Sequence, residues 1–404
     1  MVGELKMKKK NIVLIASAAA VILLSLALFF LVIRPIDERG LAYTVNDDGV
    51  TCTITGLGDC KLSKIKIPEY MDGYRVTEIG KDAFREYAKL KEITIPDSVT
   101  VMKANVFYQC GSLKKVTLSE NLTTLGSAVF YGCTQLDEIT LPETLKTLGV
   151  VVFRECTSLT QIVLPQGLVS MDQGTFYHCK SLKTMVLPEN ITTIPDYTFY
   201  GCSSLETVRF SDEVTKIGRD AFYGCSSMKK FEIPEGVTEI EPFLFAHCTA
   251  LESVTMHDGI TKIGERAFSA CSSLESIKIP EKVTTIGYYA FAECKKLKKI
   301  ELPDAVVSMD TNVFYDCTAL SEVKLSASLT ELPQSTFWKC TSLKEISIPV
   351  SVTKLASVLF KESGVETILY EGTVEQWNSI EKNKNWSVEM GDFQIVCSDG
   401  EAKP

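Results

Sequence analysis

Histidine and tryptophan are scarce in this 404-residue chain, with three of each. The histidines, His178, His247 and His257, form neither H-E-x-x-H nor H-x-x-x-H, so a helical zinc site and a histidine-based acid–base pair are not signalled. No G-x-S-x-G, no G-x-x-x-x-G-K-[ST] and no G-x-G-x-x-G opening a helix occurs, which removes the common nucleophile elbow and phosphate loops. The 14 cysteines never fall as C-x-x-C, so metal and dithiol motifs are missing too. Asn46-Asp47-Asp48-Gly49 lacks the spaced ligands and closing Glu of a calcium loop and reads as a hairpin turn. These absences point to a chain that is not an enzyme and carries no cofactor or metal.

Charge is missing over one long stretch. From Ile12 to Ile33 no residue is charged. As a helix these 22 residues span about 33 Å, enough for a hydrocarbon core of about 30 Å. A cleaved signal peptide would have a shorter apolar region and a small-residue cleavage site, and neither is visible. The expectation is a signal-anchor helix at 12–33 behind a basic tail at 1–11, followed by a linker at 34–41. Lys6, Lys8, Lys9 and Lys10 precede the span, which places the N-terminus in the cytoplasm and residues 34–404 outside. The formal charge is −9; residues 1–34 carry a net +4, leaving −13 on the rest. An acidic body of that size excludes tracking of a nucleic-acid backbone.

What the chain has in abundance is periodicity. Phenylalanine recurs every 23 residues from Phe84 to Phe360, and these positions account for 13 of the 19 Phe. Cys stands three residues after the Phe in eleven of twelve turns, from Cys110 to Cys340; Leu stands six after, with Met228 the exception. Positions nine, eleven, fifteen and eighteen after are apolar throughout. The L-x-x-I-x-I-P segment alternates and ends on proline, the pattern of a short half-buried strand. V-T-x-I is a second short extended piece. A-F-x-x-C-x-x-L spaces apolar residues by three, as one helical or 3₁₀ turn does. Six buried side chains bring roughly 9–18 kcal/mol. Fixing 23 backbones costs roughly 23–46 kcal/mol, so each turn needs neighbours and the array must be a solenoid.

The unit from Phe222 to Phe245, F-Y-G-C-S-S-M-K-K-F-E-I-P-E-G-V-T-E-I-E-P-F-L-F, resembles the BspA-type leucine-rich repeat. Residues 65–80 look like that family's opening unit, and Tyr370-Glu371-Gly372-Thr373-Val374-Glu375-Gln376-Trp377 like its closing cap. The resemblance covers about residues 42–385. It implies an N-terminal capping unit at 42–83, an array at 84–369 and a cap and tail at 370–404. The strands form a parallel sheet on the concave face, with short helical turns and second short strands elsewhere. The family consists mainly of surface proteins of host-associated anaerobes and some protozoan parasites, several linked to adhesion and host-matrix binding. The implied function is a membrane-anchored extracellular scaffold binding a protein ligand, with an envelope-organising role by self-association as the alternative.

On the concave face the ligand-facing positions are eight and ten after each Phe. No aromatic occurs among these 24 residues, and charge of both signs gathers from Arg209 to Lys324. Arg209, Lys230, Glu232, Lys278, Lys299, Glu301 and Lys324 are the candidate binding residues. Nine of twelve turns carry an acid thirteen after the Phe, read as turn chemistry or else a weak cation stripe. Tyr or Trp follows the Phe in seven turns, read as a stacking column on the convex side. The cysteine column reads as buried free thiols; Cys52 and Cys60 flank the hairpin closely enough to pair. Phe210/Phe231 and Tyr288-Tyr289 are the sharpest breaks in the pattern.

Overall fold

A computed structural model describes residues 40–403. The apolar segment 12–33 lies outside them; among the described residues no helix is long and apolar enough to cross a membrane.

Most turns of the solenoid add one strand to each of two parallel ladders; the turns at 138–140, 161–163 and 276–278 add none to the first. The first ladder uses three-residue strands such as Glu92–Thr94 and Lys115–Thr117, paired in register at a 23-residue offset. The middle side chain is buried and its neighbours face outward, as the alternation requires. The second ladder uses two-residue strands such as Val101–Met102 and Thr124–Leu125.

The A-F-x-x-C corner departs from expectation. It is a series of hydrogen-bonded turns with no helix, because two residues in every turn are left-handed. One lies two before the Phe, such as Asp82 at φ 59°; the other lies two after, such as Glu86 at φ 56°. A left-handed residue ends a right-handed helix after a single turn. The gain is a third ladder: Asp82, Phe84 and Glu86 donate their N–H groups to the carbonyls of Ala104, Val106 and Tyr108 at 3.0, 2.9 and 2.7 Å. This pattern repeats from turn to turn through the array. A left-handed non-glycine residue costs roughly 1–2 kcal/mol, and each hydrogen bond returns about 0.5–1.5 kcal/mol.

The core is columnar. Phe84 through Phe360 are fully buried, and neighbouring rings are stacked at 5.3–5.9 Å. Each of the eleven column thiols donates to the carbonyl of the Phe one turn back, at 3.0–3.3 Å. Cys52 and Cys60 are buried free thiols, so the hairpin carries no disulfide.

Both ends are closed. Strands Ala42–Val45 and Thr51–Gly56 form an antiparallel hairpin that joins Tyr74–Ile79 and covers the start of the second ladder. Its turn is tied by Gly49 N–H to Asn46 O at 3.0 Å, as the Asn-Asp-Asp-Gly run implies. At the far end Trp386 meets Phe360 edge-on at 6.4 Å and terminates the ring stack. The helix Val374–Ser379 starts on a capping box made by Thr373 and Gln376.

Neither strand ladder is continuous. The second ladder breaks between Ser170–Met171 and Thr193–Ile194, between Lys216–Ile217 and Glu239–Ile240, and between Ser308–Met309 and Glu331–Leu332. Elsewhere the residue nineteen after the Phe donates to the previous turn, as Gly126 does to Met102 O at 2.9 Å. At the first and third breaks that residue is Pro195 or Pro333, which has no N–H. At the second it is Glu241, which precedes Pro242 and makes no such bond.

Candidate functional site

The outward residues of the first ladder are held by strands on a rigid core, so their spacing is set by the strand repeat of about 4.8 Å. Arg209, Lys230, Glu232, Lys278, Lys299, Glu301 and Lys324 are all exposed. They do not form one cluster. Lys278, Lys299, Glu301 and Lys324 share a groove of about 480 Å³ with Ser253, Ser276, Glu281 and Asp304. Lys230 lines a separate groove of about 660 Å³ with Thr207 and Lys229. Arg209 and Glu232 sit on the strands beside it.

The grooves mark the gaps in the first ladder. Strands Ser253–Thr255 and Lys299–Glu301 are bridged across Ser276 only by an isolated pairing to Lys299. Thr207–Arg209 and Lys230–Glu232 are not hydrogen-bonded to each other. A third groove of about 680 Å³ opens where Lys115–Thr117 meets residues 138–140; Glu138, Gln161 and Val163 line it.

Within the first groove Lys299 bonds Glu301 at 2.9 Å and Glu322 at 3.3 Å. Those bonds hold its ammonium above the ordinary lysine range and, from the other side, hold the Glu301 carboxyl below its own. All three groups are exposed, so solvent screens the pairs heavily. Lys278 and Lys324 flank Glu301 in the same column and enter none of the ion pairs among the described residues.

Two of the acids thirteen after the Phe accept backbone bonds from the next turn. Asp97 accepts from Glu120 N–H at 3.0 Å and Asp304 from Ala327 N–H at 3.1 Å. Among the described residues no three His, Cys, Asp or Glu are grouped to hold a metal. His257 is held by backbone, its Nε2 3.0 Å from Pro234 O and its Nδ1 3.1 Å from Gly259 N, with the Glu235 carboxylate 3.4 Å from Nδ1. His178 and His247 occupy the left-handed column after the Phe, at φ 56° and 61°.

The aromatic column one after each Phe is half-buried. Tyr177, Tyr200 and Tyr223 stack at 4.5 and 4.4 Å. Arg154 lies over Tyr131 and Tyr177 at 5.2 and 4.2 Å. Burial pushes the Tyr200 phenol up to about 12. Beside this column runs a second set, of which the breaks in periodicity exposed only Tyr288 and Tyr289. Phe243, Arg266 and Tyr289 stand two before the Phe, with Tyr288 adjacent. The signal was present: that column holds Asp, Asn, Gly or Ser in several turns and bulky groups in these. Phe210 and Phe231, the other break, pack into the core beside Phe222 and Phe245.

A leucine-rich solenoid with a 23-residue turn defines the class. Residues 57–183, 169–287 and 261–381 match the model of the BspA type leucine-rich repeat region, and the chain belongs to that family. A leucine-rich cell surface protein from Faecalibacterium prausnitzii is similar at 28% identity and a TM-score of 0.56, over 86% of this chain and 97% of that one. A leucine-rich repeat protein from Bacteroides ovatus is similar at 28% identity and a TM-score of 0.58, over 76% and 93%. No curated protein sequence matches significantly.

Proposed function

We propose that this chain is a non-enzymatic scaffold displayed at the cell surface, held by a membrane helix at 12–33, that binds a protein ligand. The ligand is a host matrix or other surface protein, and it meets the strand face between Arg209 and Lys324. The carrying observation is the groove in which Lys278 and Lys324, outside every ion pair among the described residues, present their ammonium groups beside the Lys299–Glu301 pair. The likeness to a cell surface protein supports the location. The groove sets Lys278, Lys299 and Lys324 among Glu281, Glu301 and Asp304, a pattern of both signs that fits a ligand of complementary charge.

The test is a titration of the full chain in detergent against purified matrix proteins, beside a variant with Lys230, Lys278, Lys299 and Lys324 changed to Glu. Saturable binding weakened at least about tenfold in the variant is expected. Binding unchanged by the four reversals removes this face. Absence of binding with concentration-dependent self-assembly favours the envelope-organising role.

A further inference from the structure

The solenoid edge around Phe243, Arg266 and Tyr289 carries three unusual features together. The first is backbone conformation. These residues sit at φ 58°, 51° and 54°, in a column where Asp82, Asn105 and Asn312 stand in other turns. Asn and Asp tolerate the left-handed region far better than bulky side chains do. Val151, Tyr197 and Val358 also stand in this column, but only here among the described residues do three successive turns carry large side chains at it.

The second feature is stacking. The Arg266 guanidinium lies 5.7 Å from the Phe243 ring, 4.8 Å from Tyr289 and 5.7 Å from Tyr288. All four residues are half-buried on the same edge. Aromatic and arginine side chains in such settings dominate protein interfaces.

The third feature is a missing counter-ion. Three other arginines stack on aromatic rings, and each donates from Nε to the carboxylate of the next residue. Arg85 reaches Glu86 at 3.1 Å, Arg154 reaches Glu155 at 3.4 Å and Arg219 reaches Asp220 at 3.3 Å. Arg266 Nε is buried and has no acceptor among the described residues. The residue that follows it, Ala267, is fully buried in the core, so that position has no room for a carboxylate. The chain thus shows three times what a stacked guanidinium takes, and leaves one without it.

We propose that the Phe243–Arg266–Tyr289 edge is a docking surface for a protein partner that presents an aspartate or glutamate carboxylate to Arg266. The rings hold the guanidinium in one orientation; Nε is enclosed, so it is the terminal Nη pair that matches a carboxylate. The surface is separate from the strand face and does not depend on it.

The test is selection of a phage-displayed random peptide library on the full chain in detergent. Selected peptides are then measured against Arg266→Asn, Arg266→Lys and the strand-face quadruple variant. Enriched peptides sharing Asp or Glu are expected. Their affinity falls at least tenfold in R266N, falls also in R266K because the fork is lost, and holds in the quadruple variant. The melting temperature of R266N stays equal or rises, since asparagine suits the backbone there. Peptides without acids, peptides indifferent to R266N, or peptides lost only in the quadruple variant overturn the proposal. So does a drop in the R266N melting temperature with peptide binding intact, which makes Arg266 a packing group. Binding of sialylated or uronate glycans in place of peptides overturns the choice of partner.

Discussion

At the scale of single residues, the thiol column adds a bond that a merely apolar side chain cannot. The carbonyl of each column Phe from Phe84 to Phe314 already accepts a backbone N–H from three residues on, as Phe107 O does from Cys110 at 3.0 Å, and the thiol of the next turn gives it a second donor while filling the space of a small hydrophobe. Burial raises these thiols far above their ordinary range; Cys110 and Cys248 reach about 12. The unfolded chain releases the same protons near pH 9. The stabilising difference is therefore complete below about pH 9 and is lost as pH rises toward the folded values. Each group adds a slope of about 1.4 kcal/mol per pH unit in that window. Denaturant melts should be flat from pH 7 to 8.5 and collapse above about pH 9. A midpoint unchanged at pH 10.5 would mean that the thiols are exposed or oxidised. The free, buried state of the column was legible from its spacing and odd number. Its hydrogen bond was not, because a carbonyl one turn back has no signature in sequence.

Elements were legible where side-chain alternation reports them. The strands at Glu92–Thr94 and Lys230–Glu232 fall where the apolar pattern alternates, eight to ten after the Phe. The corner was read as one helical or 3₁₀ turn; its bonds do span three residues, as Tyr87 N–H to Phe84 O does, but a spacing of three is shared by a helix and by successive tight turns. Only backbone sign separates them, and glycine marks that sign in few turns, Gly201 and Gly224 among them. Prolines were read as ending the first strand, whereas Pro195 and Pro333, in a different column, interrupt the second ladder. The substitution Pro333→Ala restores the kind of donor that Ala356 already provides at this column, where its N–H reaches Leu332 O at 3.0 Å. The new bond adds about 0.5–1.5 kcal/mol, and the loss of proline rigidity in the unfolded chain removes about 0.4–1 kcal/mol. Stability should barely move, while hydrogen exchange of the amide created by this substitution slows to the rate of the Ala356 amide. Fast exchange of that new amide would show that the ladder is open there for a reason other than proline.

For the whole molecule, the candidate site was legible only in part. Charge gathered on outward positions can be read from a repeat, and so Lys278, Lys299, Glu301 and Lys324 were placed on one face. Their division from Lys230 could not be read, because it follows from gaps in strand pairing that break no sequence pattern. The Arg266 edge was legible only at Tyr288-Tyr289, a visible break in the pattern; Phe243 and Arg266 look like noise in a column of turn formers until the side chains are seen stacked. Both surfaces matter only if the solenoid stands outside the membrane. Labelling of intact cells with a membrane-impermeant amine reagent, followed by mass spectrometry, tests that directly within one chain. The account predicts that the exposed Lys278 and Lys324 are labelled in intact cells, while Lys8, Lys9 and Lys10 are labelled only after lysis. Labelling of Lys278 and Lys324 that appears only after lysis would contradict it.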